Sequence, residues 1–264
     1  VCPLTLERPK YVNYEKKDSI AIVTLNRPEK LNALSREVLI DLLETLESAS
    51  KDPEVKVIVI TGAGKAFCAG ADVVEFTKSS TEIREFIDLG RRVFEFLESL
   101  EKPVIAAVHG FALGGGFELA LACDLIIAAE GSQLGSPEIN LGIIPGWGAT
   151  QKLLITLGPY KARELIMLGD RISAEEALKL GVVNKVVPAD KVVEEALLLA
   201  KKLAEKSPVA LSAAKSVLNK SLRIMMSTGL EIERSTFIIT TSTEDAKEGI
   251  KAFLEKRKPQ WKGK

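Results

Sequence analysis

Residues 104–129 read VIAAVHGFALGGGFELALACDLIIAA. Two short apolar runs, PVIAAV at 103–108 and DLIIAA at 124–129, flank a glycine-rich turn and a brief apolar helix, FELALA. Runs that are apolar at every position, rather than at alternate ones, predict strands buried on both faces, as in a parallel sheet covered by helices. A third such run, VKVIVI at 55–60, is bounded by Pro53 and Gly62. The repeated order strand–helix–strand predicts the α/β class. His109, Glu118, Asp124 and the glycines interrupt the stretch, so it reads as buried core and not as a membrane span.

Working outward, YVNYEKK at 11–17 and SIAIVTLN at 19–26 predict two alternating strands joined by a short turn. Ser35 is placed to cap an amphipathic helix, REVLIDLLETLESAS, with Leu39, Leu42, Leu43 and Leu46 on one face. Another helix is expected around 81–99. Beyond residue 150 the chain predicts short helices (ATQKLLITLG, YKARELIMLG, SAEEALKLG) and one strand, VVNKVV. From Asp190 to Lys256 it is almost wholly helical, with breaks expected at Pro208 and at a turn near Gly229. The expected division is an α/β core over residues 1–195 and a helical C-terminal region over 196–264.

Composition narrows the chemistry. Lys+Arg and Asp+Glu are equal at 36 each, so no overall field draws the chain to nucleic acid or to an anionic membrane. A single histidine excludes His-rich metal sites, and no metal is expected. It also leaves His109 as the only imidazole for a nucleophile–His pair. Acid–base work therefore falls to carboxylates. Cys2, Cys68 and Cys123 are scattered and odd in number, as expected of reduced thiols in the cytoplasm. The opening VCPLTLERPKYVNYEKK has no continuous apolar core, so no secretory signal is expected in it. Scarce Gln, Cys and Met beside 27% charged residues lean towards a thermophilic source.

Two glycine-rich segments directly follow buried strands: TGAGKAFCAGAD at 61–72 and HGFALGGGFELA at 109–120. Such loops let backbone approach a ligand, and the following helix offers unpaired N–H groups. A phosphate loop would need Gly at Val59 and Ser or Thr at Ala66. A dinucleotide fingerprint would need a small residue at Leu119 or Gln151. Two carboxylates stand out instead. Glu118 lies in the first turn of an apolar helix, and Glu138 lies in GSPEINLG ahead of the IIPGWG turn. Each can be read as a helix cap or an Arg partner, or as a functional acid, since carboxylates are seldom buried without partner or purpose.

KAFCAGADV, ALGGGFELALACD, SPEINLGIIPGWGATQKL, GDRISAEEALKLGVVNKVV and STEDAKEGIKAFLEKRKPQWKGK, in that order, resemble the crotonase (enoyl-CoA hydratase) family from about NRPEKLNAL at 26 to the C-terminus. The resemblance implies a spiral of ββα units with a helical C-terminal trimerisation region, a trimer or dimer of trimers, and a coenzyme A thioester as substrate with no cofactor. It implies an oxyanion hole from the backbone N–H groups of Ala71 and Gly115. Two such donors, one at a helix N-terminus, suit an enolate forming on a thioester oxygen, and one donor is typically worth about 3–4 kcal/mol of barrier.

The hydratases of the family carry two glutamates where Glu118 and Glu138 stand; relatives that move a double bond generally keep one. The implied reaction is addition of water to a trans-2-enoyl-CoA, giving the (S)-3-hydroxyacyl-CoA. Glu118 is assigned to activating water and Glu138 to the proton at the alpha carbon. Gly146 matches the glycine that helps place the water. Ala71, Asp72, Val73 and Val74 match the segment along the thioester and adenine, with Lys30, Lys65 and Ala69 beside the nucleotide. Phe237, Phe253 and Lys256 match residues that reach a neighbouring subunit's coenzyme A.

The usual PGxGGTQRL reads PGWGATQKL, so Trp147, Ala149 and Lys152 depart from the pattern. Trp147 falls where the acyl tail should run, and it reads either as core packing or as a residue that shortens the pocket. His109 and Cys68 are expected to be structural, and Ser136 stands where many hydratases have Gln. The rival chemistries are double-bond isomerisation and acyl-CoA hydrolysis. An RNA-binding branch of the family uses a Lys-rich first helix; here that helix sets Arg36 against Glu37, Asp41, Glu44 and Glu47, which repels phosphate.

Overall fold

The computed structural model describes residues 11–264. Cys2 and the start of the opening segment lie outside the described residues. The strands are β1 Val12–Lys17, β2 Ile20–Leu25, β3 Val57–Gly62, β4 Val104–Val108, β5 Phe111–Leu113, β6 Leu125–Ala129, β7 Gln133–Gly135, β8 Arg171–Ser173 and β9 Lys185–Val187. The helices are α1 Arg36–Lys51, α2 Ser80–Ser99, α3 Gly115–Ala122, α4 Ala149–Leu168, α5 Ala174–Lys179, α6 Val192–Ala204, α7 Pro208–Thr241 and α8 Glu244–Leu254.

The larger sheet has the order β1-β2-β3-β4-β6-β9. Only the β1–β2 pair is antiparallel; β3, β4, β6 and β9 each add in parallel. The unbroken apolar runs take this form because both faces are covered. Alternate residues Ile20, Ile22, Val57, Val59, Ile105, Ala107 and Ile127 pack against α6. Their neighbours Ala21, Val23, Ile58, Ile60, Ala106 and Ile126 enter the main core with α1 and α2. The predicted Ser35 cap forms, its hydroxyl accepting from the Val38 N–H at 3.4 Å.

A second, three-stranded sheet has the order β5-β7-β8. The 61–72 segment extends it, through a parallel bridge from Cys68 to Ala112. A further bridge joins Leu34 to Ala71. Successive turns of the chain therefore place one strand in the large sheet and one extended segment in the small one, then return through a helix. This is the expected spiral of ββα units. The small sheet was not legible as strands, because its segments are only three residues long and glycine-rich.

Ser207 caps α7 with Pro208 in its first turn, so the break at Pro208 forms as expected. The turn expected near Gly229 does not: α7 runs through it without interruption to Thr241. A Cβ on Gly229 would lie 1.9 Å from the Gln151 side chain, so this glycine serves close approach to α4 and not chain reversal. Lys215, buried on α7, pairs with Asp124 at 2.8 Å, and Arg234 meets Asp88 through two bonds of 2.6 Å. The boundary expected at 195/196 falls inside α6, whose Ala196 and Ala200 are fully buried on the sheet.

Helix α8 closes the chain over the 3-10 turn Pro137–Leu141, and Gly249 makes that contact possible. A Cβ there would sit 2.4 Å from the Leu141 carbonyl oxygen. Gly to Ala in an exposed helix usually stabilises by about 1 kcal/mol. At Gly249 the sign should reverse: Gly249→Ala is expected to destabilise by about 1–3 kcal/mol, as overpacking does, measured by urea unfolding.

Candidate active site

A cavity of about 440 Å³ opens where the two sheets, α3, the 137–141 turn and the C-terminal helices meet. It is lined by Ala69, Ala71, Val73, Gly115, Glu118, Glu138, Gly146, Trp147, Phe237 and Phe253, all singled out from the sequence. Lys30, Lys65, Asp72, Val74 and Lys256 do not line it. Lys30 and Lys65 are exposed beside the lining residues Leu31 and Ala69's loop. Asp72 caps the next turn through Val74 N–H (3.2 Å) and pairs with Arg27 at 2.7 Å, while Val74 is 52% exposed.

Backbone geometry brings two donors together. Leu34 N–H donates to the Gly70 carbonyl and Asp72 N–H donates to the Leu34 carbonyl, which turns the intervening Ala71 N–H the other way. Gly115 lies beside it: a Cβ on Gly115 would lie 3.3 Å from the Ala71 nitrogen. Gly115 is the first residue of α3, so its own N–H has no partner within the helix. The chain enters α3 through Gly114 at φ +50°, a left-handed conformation that a residue with a side chain resists. A Cβ there would also stand 3.1 Å from Glu138 Oε1.

Both glutamates are buried, Glu118 at 2% exposure and Glu138 at 9%. Glu118 Oε1 accepts from Trp147 N–H at 2.8 Å and from Ala149 N–H at 3.0 Å. Glu138 Oε2 is buried with no hydrogen-bond partner among the described residues. Burial, and then repulsion from Glu138 and Glu233, holds the Glu118 carboxyl well above the ordinary carboxylate range. Burial, with Glu233 adding to it, raises Glu138 too. Two neighbouring carboxyls that both resist ionisation are suited to share a proton, an arrangement able to supply an acid and a base.

Sequence reasoning missed Glu233. It lies on α7 at 4% exposure. It accepts from Gly148 N–H at 2.7 Å, from Thr150 N–H at 3.1 Å and from the Thr150 hydroxyl. The four consecutive N–H groups of residues 147–150 are thus divided alternately between Glu118 and Glu233. A signal was present: Met226, Glu233, Phe237 and Thr241 are the buried positions of this part of α7 and recur at helical spacing. A glutamate on an apolar stripe is the anomaly. Phe111 and Arg171 at the cavity mouth were also missed; the Arg171 guanidinium lies over the Phe111 ring at 5.3 Å.

His109 takes the structural role expected of it, its ring nitrogen 3.2 Å from the Gly64 carbonyl oxygen and outside the cavity lining. Cys68 is a fully buried packed side chain whose thiol burial pushes up to about 12. Phe237 and Phe253 line this chain's own cavity, where the expectation was a reach into a neighbour's site.

The family model described as Enoyl-CoA hydratase/isomerase matches residues 15–264. The chain belongs to that family. A crotonyl-CoA hydratase of Syntrophomonas wolfei is 42% identical over 92% of this chain and 95% of its own length. A short-chain-enoyl-CoA hydratase of Clostridium acetobutylicum is 44% identical over 92% of this chain and 94% of its own. Among solved structures, an enoyl-CoA hydratase from Mycobacterium avium subsp. paratuberculosis has TM-score 0.87 at 30% identity, covering 96% of this chain and 98% of that one. The resemblance read from the motifs, and the spiral fold it implied, are both borne out.

The raised carboxyls carry a stability cost with a definite pH dependence. A carboxyl that is harder to ionise folded than unfolded binds more protons in the folded state, so stability falls as pH rises above the unfolded value. Glu118→Gln keeps an acceptor oxygen for Trp147 and Ala149 while removing the titration. It is expected to melt higher than wild type at pH 8, with the difference shrinking towards pH 4, as measured by thermal unfolding across that range.

Proposed function

We propose that this family member hydrates trans-2-enoyl-CoA reversibly to the (S)-3-hydroxyacyl-CoA. The observation that carries the reading is the pair Glu118 and Glu138 in one buried cavity with the Ala71 and Gly115 N–H groups. The thioester oxygen is held by the two N–H groups. As water attacks the beta carbon, charge moves to that oxygen, where the two donors and the N-terminal end of α3 favour it.

Glu118 takes a proton from the attacking water, and Glu138 gives its proton to the alpha carbon. The O–H bond of water, the O–H bond of Glu138 and the π bond between the alpha and beta carbons break; C–O, C–H and Glu118 O–H bonds form, and the proton count of the glutamate pair is unchanged. The division of roles rests on the hydrogen bonds. Two backbone N–H donors favour the carboxylate form of Glu118. The unpartnered Oε2 of Glu138 favours its protonated form. Gly146, on the cavity wall beside Trp147, places the water, and the exposed Lys30 and Lys65 near the mouth meet the nucleotide's phosphates. No cofactor is required: the coenzyme A thioester is the substrate. A cytoplasmic setting agrees with free thiols at Cys68 and Cys123. Relatives that only move a double bond generally keep one of the two carboxyls, so the pair favours hydration.

With crotonyl-CoA, wild type should remove the ultraviolet absorbance of the conjugated enoyl thioester. Glu118→Gln and Glu138→Gln should each lower kcat by about 10²-fold or more, the usual scale of general acid–base catalysis. An inert wild type, or two fully active variants, would refute the reading.

The chain's assembly follows from α7. Val209, Val217, Ile224, Met225 and Ile239 are each more than 60% exposed on this one helix, with Val209 and Ile224 at 78%. An exposed apolar surface of that extent marks an interface. We propose that residues 196–264 serve homo-oligomerisation, as a trimer or a dimer of trimers. Light scattering after size-exclusion chromatography should return three or six times the chain mass, and a monomer would sink the proposal.

A further inference from the structure

Glu233 is a buried acid that, among the described residues, has no Arg or Lys at hydrogen-bond distance. Its bonds go to one short turn. Oε1 accepts from Gly148 N–H at 2.7 Å, and Oε2 accepts from Thr150 N–H at 3.1 Å and from the Thr150 hydroxyl. Gln151 Nε2–H donates to that same hydroxyl oxygen at 3.0 Å, so the hydroxyl hydrogen is left to point at Glu233. Each of these partners is a donor. Such a setting suits a carboxylate and gives a carboxylic O–H nothing to bond.

The turn is a thin partition. Gly146 and Trp147 line the substrate cavity on one face, and with Gly148, Lys152 and Glu233 they line a small cavity of about 20 Å³ on the other. Glu118 holds the turn from the substrate side. Its bonds from Trp147 and Ala149 N–H both end on Oε1, and Oε2 takes none among the described residues. That second oxygen is left for water. Gly148, at φ +110°, lets the chain aim its N–H at Glu233 when its neighbours aim theirs at Glu118. Neither Glu233 nor Thr150 lines the substrate cavity, so an effect of either on the reaction passes through Glu118.

Other charged groups surround Glu233, and they are matched among themselves. Helix α2 presents Arg91, Glu95 and Glu98, α4 presents Lys152, and α7 presents Arg223. Lys152 pairs with Glu98, Arg223 with Glu95 at 2.9 Å, and Arg91 with Glu95 at 3.1 Å and with Glu231. Arg234, next in sequence, is taken by Asp88. The groups left facing Glu233 across the turn are Glu118 and, beyond it, Glu138. Burial raises Glu233 itself, and its three donors and then Lys152 oppose that. Its repulsion adds to the burial that raises Glu118 and Glu138.

We infer that Glu233 is a positioning residue for the hydration: from behind the turn it holds the Trp147 and Ala149 N–H groups on Glu118 Oε1 and sets a fixed negative charge against that base. The inference rests on the hydratase reading and adds a residue to it.

The test is the pH profile of kcat/KM with crotonyl-CoA for wild type, Glu233→Gln, Thr150→Val and Thr150→Ser. The two limbs of that profile report successive ionisations of the Glu118–Glu138 pair. A like charge disfavours ionisation, so its removal moves both limbs to lower pH. Glu233→Gln should move them by about one unit. It should also lower the maximal kcat about three- to tenfold, as a weaker base does, with KM within about twofold of wild type. A residue that only supported the fold would lower activity or raise KM and leave the limbs in place. Thr150→Val keeps the N–H and loses the hydroxyl that stabilises the Glu233 charge. It should move the limbs the same way by a smaller amount, and Thr150→Ser should restore the wild-type profile. Unmoved limbs in a folded Glu233→Gln would overturn this inference and leave the hydratase reading standing. So would Thr150→Val matching Thr150→Ser where Glu233→Gln does not fold. Inertness of wild type towards crotonyl-CoA would overturn both.

Discussion

Four successive backbone N–H groups, from Trp147 to Thr150, are divided between two buried carboxylates, and the site hangs on that division. Trp147 and Ala149 donate to Glu118; Gly148 and Thr150 donate to Glu233. Among the described residues, neither carboxylate has an Arg or Lys at hydrogen-bond distance. Their solvation is replaced by main-chain dipoles at the start of α4, where a helix has N–H groups to spare. An arginine in their place would have pulled the carboxyls into the acidic range and removed the base. Backbone donors also favour the ionised form, but burial outweighs them here and both carboxyls are raised.

The arrangement also ties the C-terminal helix to the chemistry. Glu233 reaches the turn from α7, which is itself pinned to α2 by Arg234 and Asp88 and to the sheet region by Lys215 and Asp124. Phe237, one turn further on, packs where a Cβ on Gly146 would lie 2.8 Å from its ring. A helix read from sequence as an oligomerisation element is therefore also a wall of the cavity and a clamp on the loop that holds Glu118. Assembly through the exposed face of α7 would then bear on the same turn from the far side, with no contact to substrate needed.

The sequence made legible those parts of the molecule whose physics is local. The buried runs around 55–60 and 103–129 announce a covered parallel sheet because strands wetted on neither face need no alternation. Glu118 and Glu138 were visible because each is a charge in an apolar setting. What stayed hidden depends on long-range approach. Strands of three residues, as at Phe111–Leu113, have too few positions to show a period. Gly229 looks like a turn until α4 is seen lying against it. Glu233 sits between Glu231 and Arg234, and only the burial of its helical face separates it from a solvated neighbour.

Trp147 shows how far a local reading goes and where it stops. As a residue in a PGWG turn it was open to two meanings, packing or substrate contact. The structure shows the packing, and the same ring lines the cavity. The indole is core to α2 and α3, and the face of that core is the end of the cavity. Gly90 and Gly115 are far apart in sequence, and neither carries a sign of the other. Yet a side chain at either position would expel the ring, and Gly115 is also the residue whose N–H is proposed for the oxyanion hole. Hence the absence of a side chain at Gly115 leaves its backbone open to the cavity and admits the ring that lines it. A side chain at Gly115 would therefore disturb the N–H and the ring together.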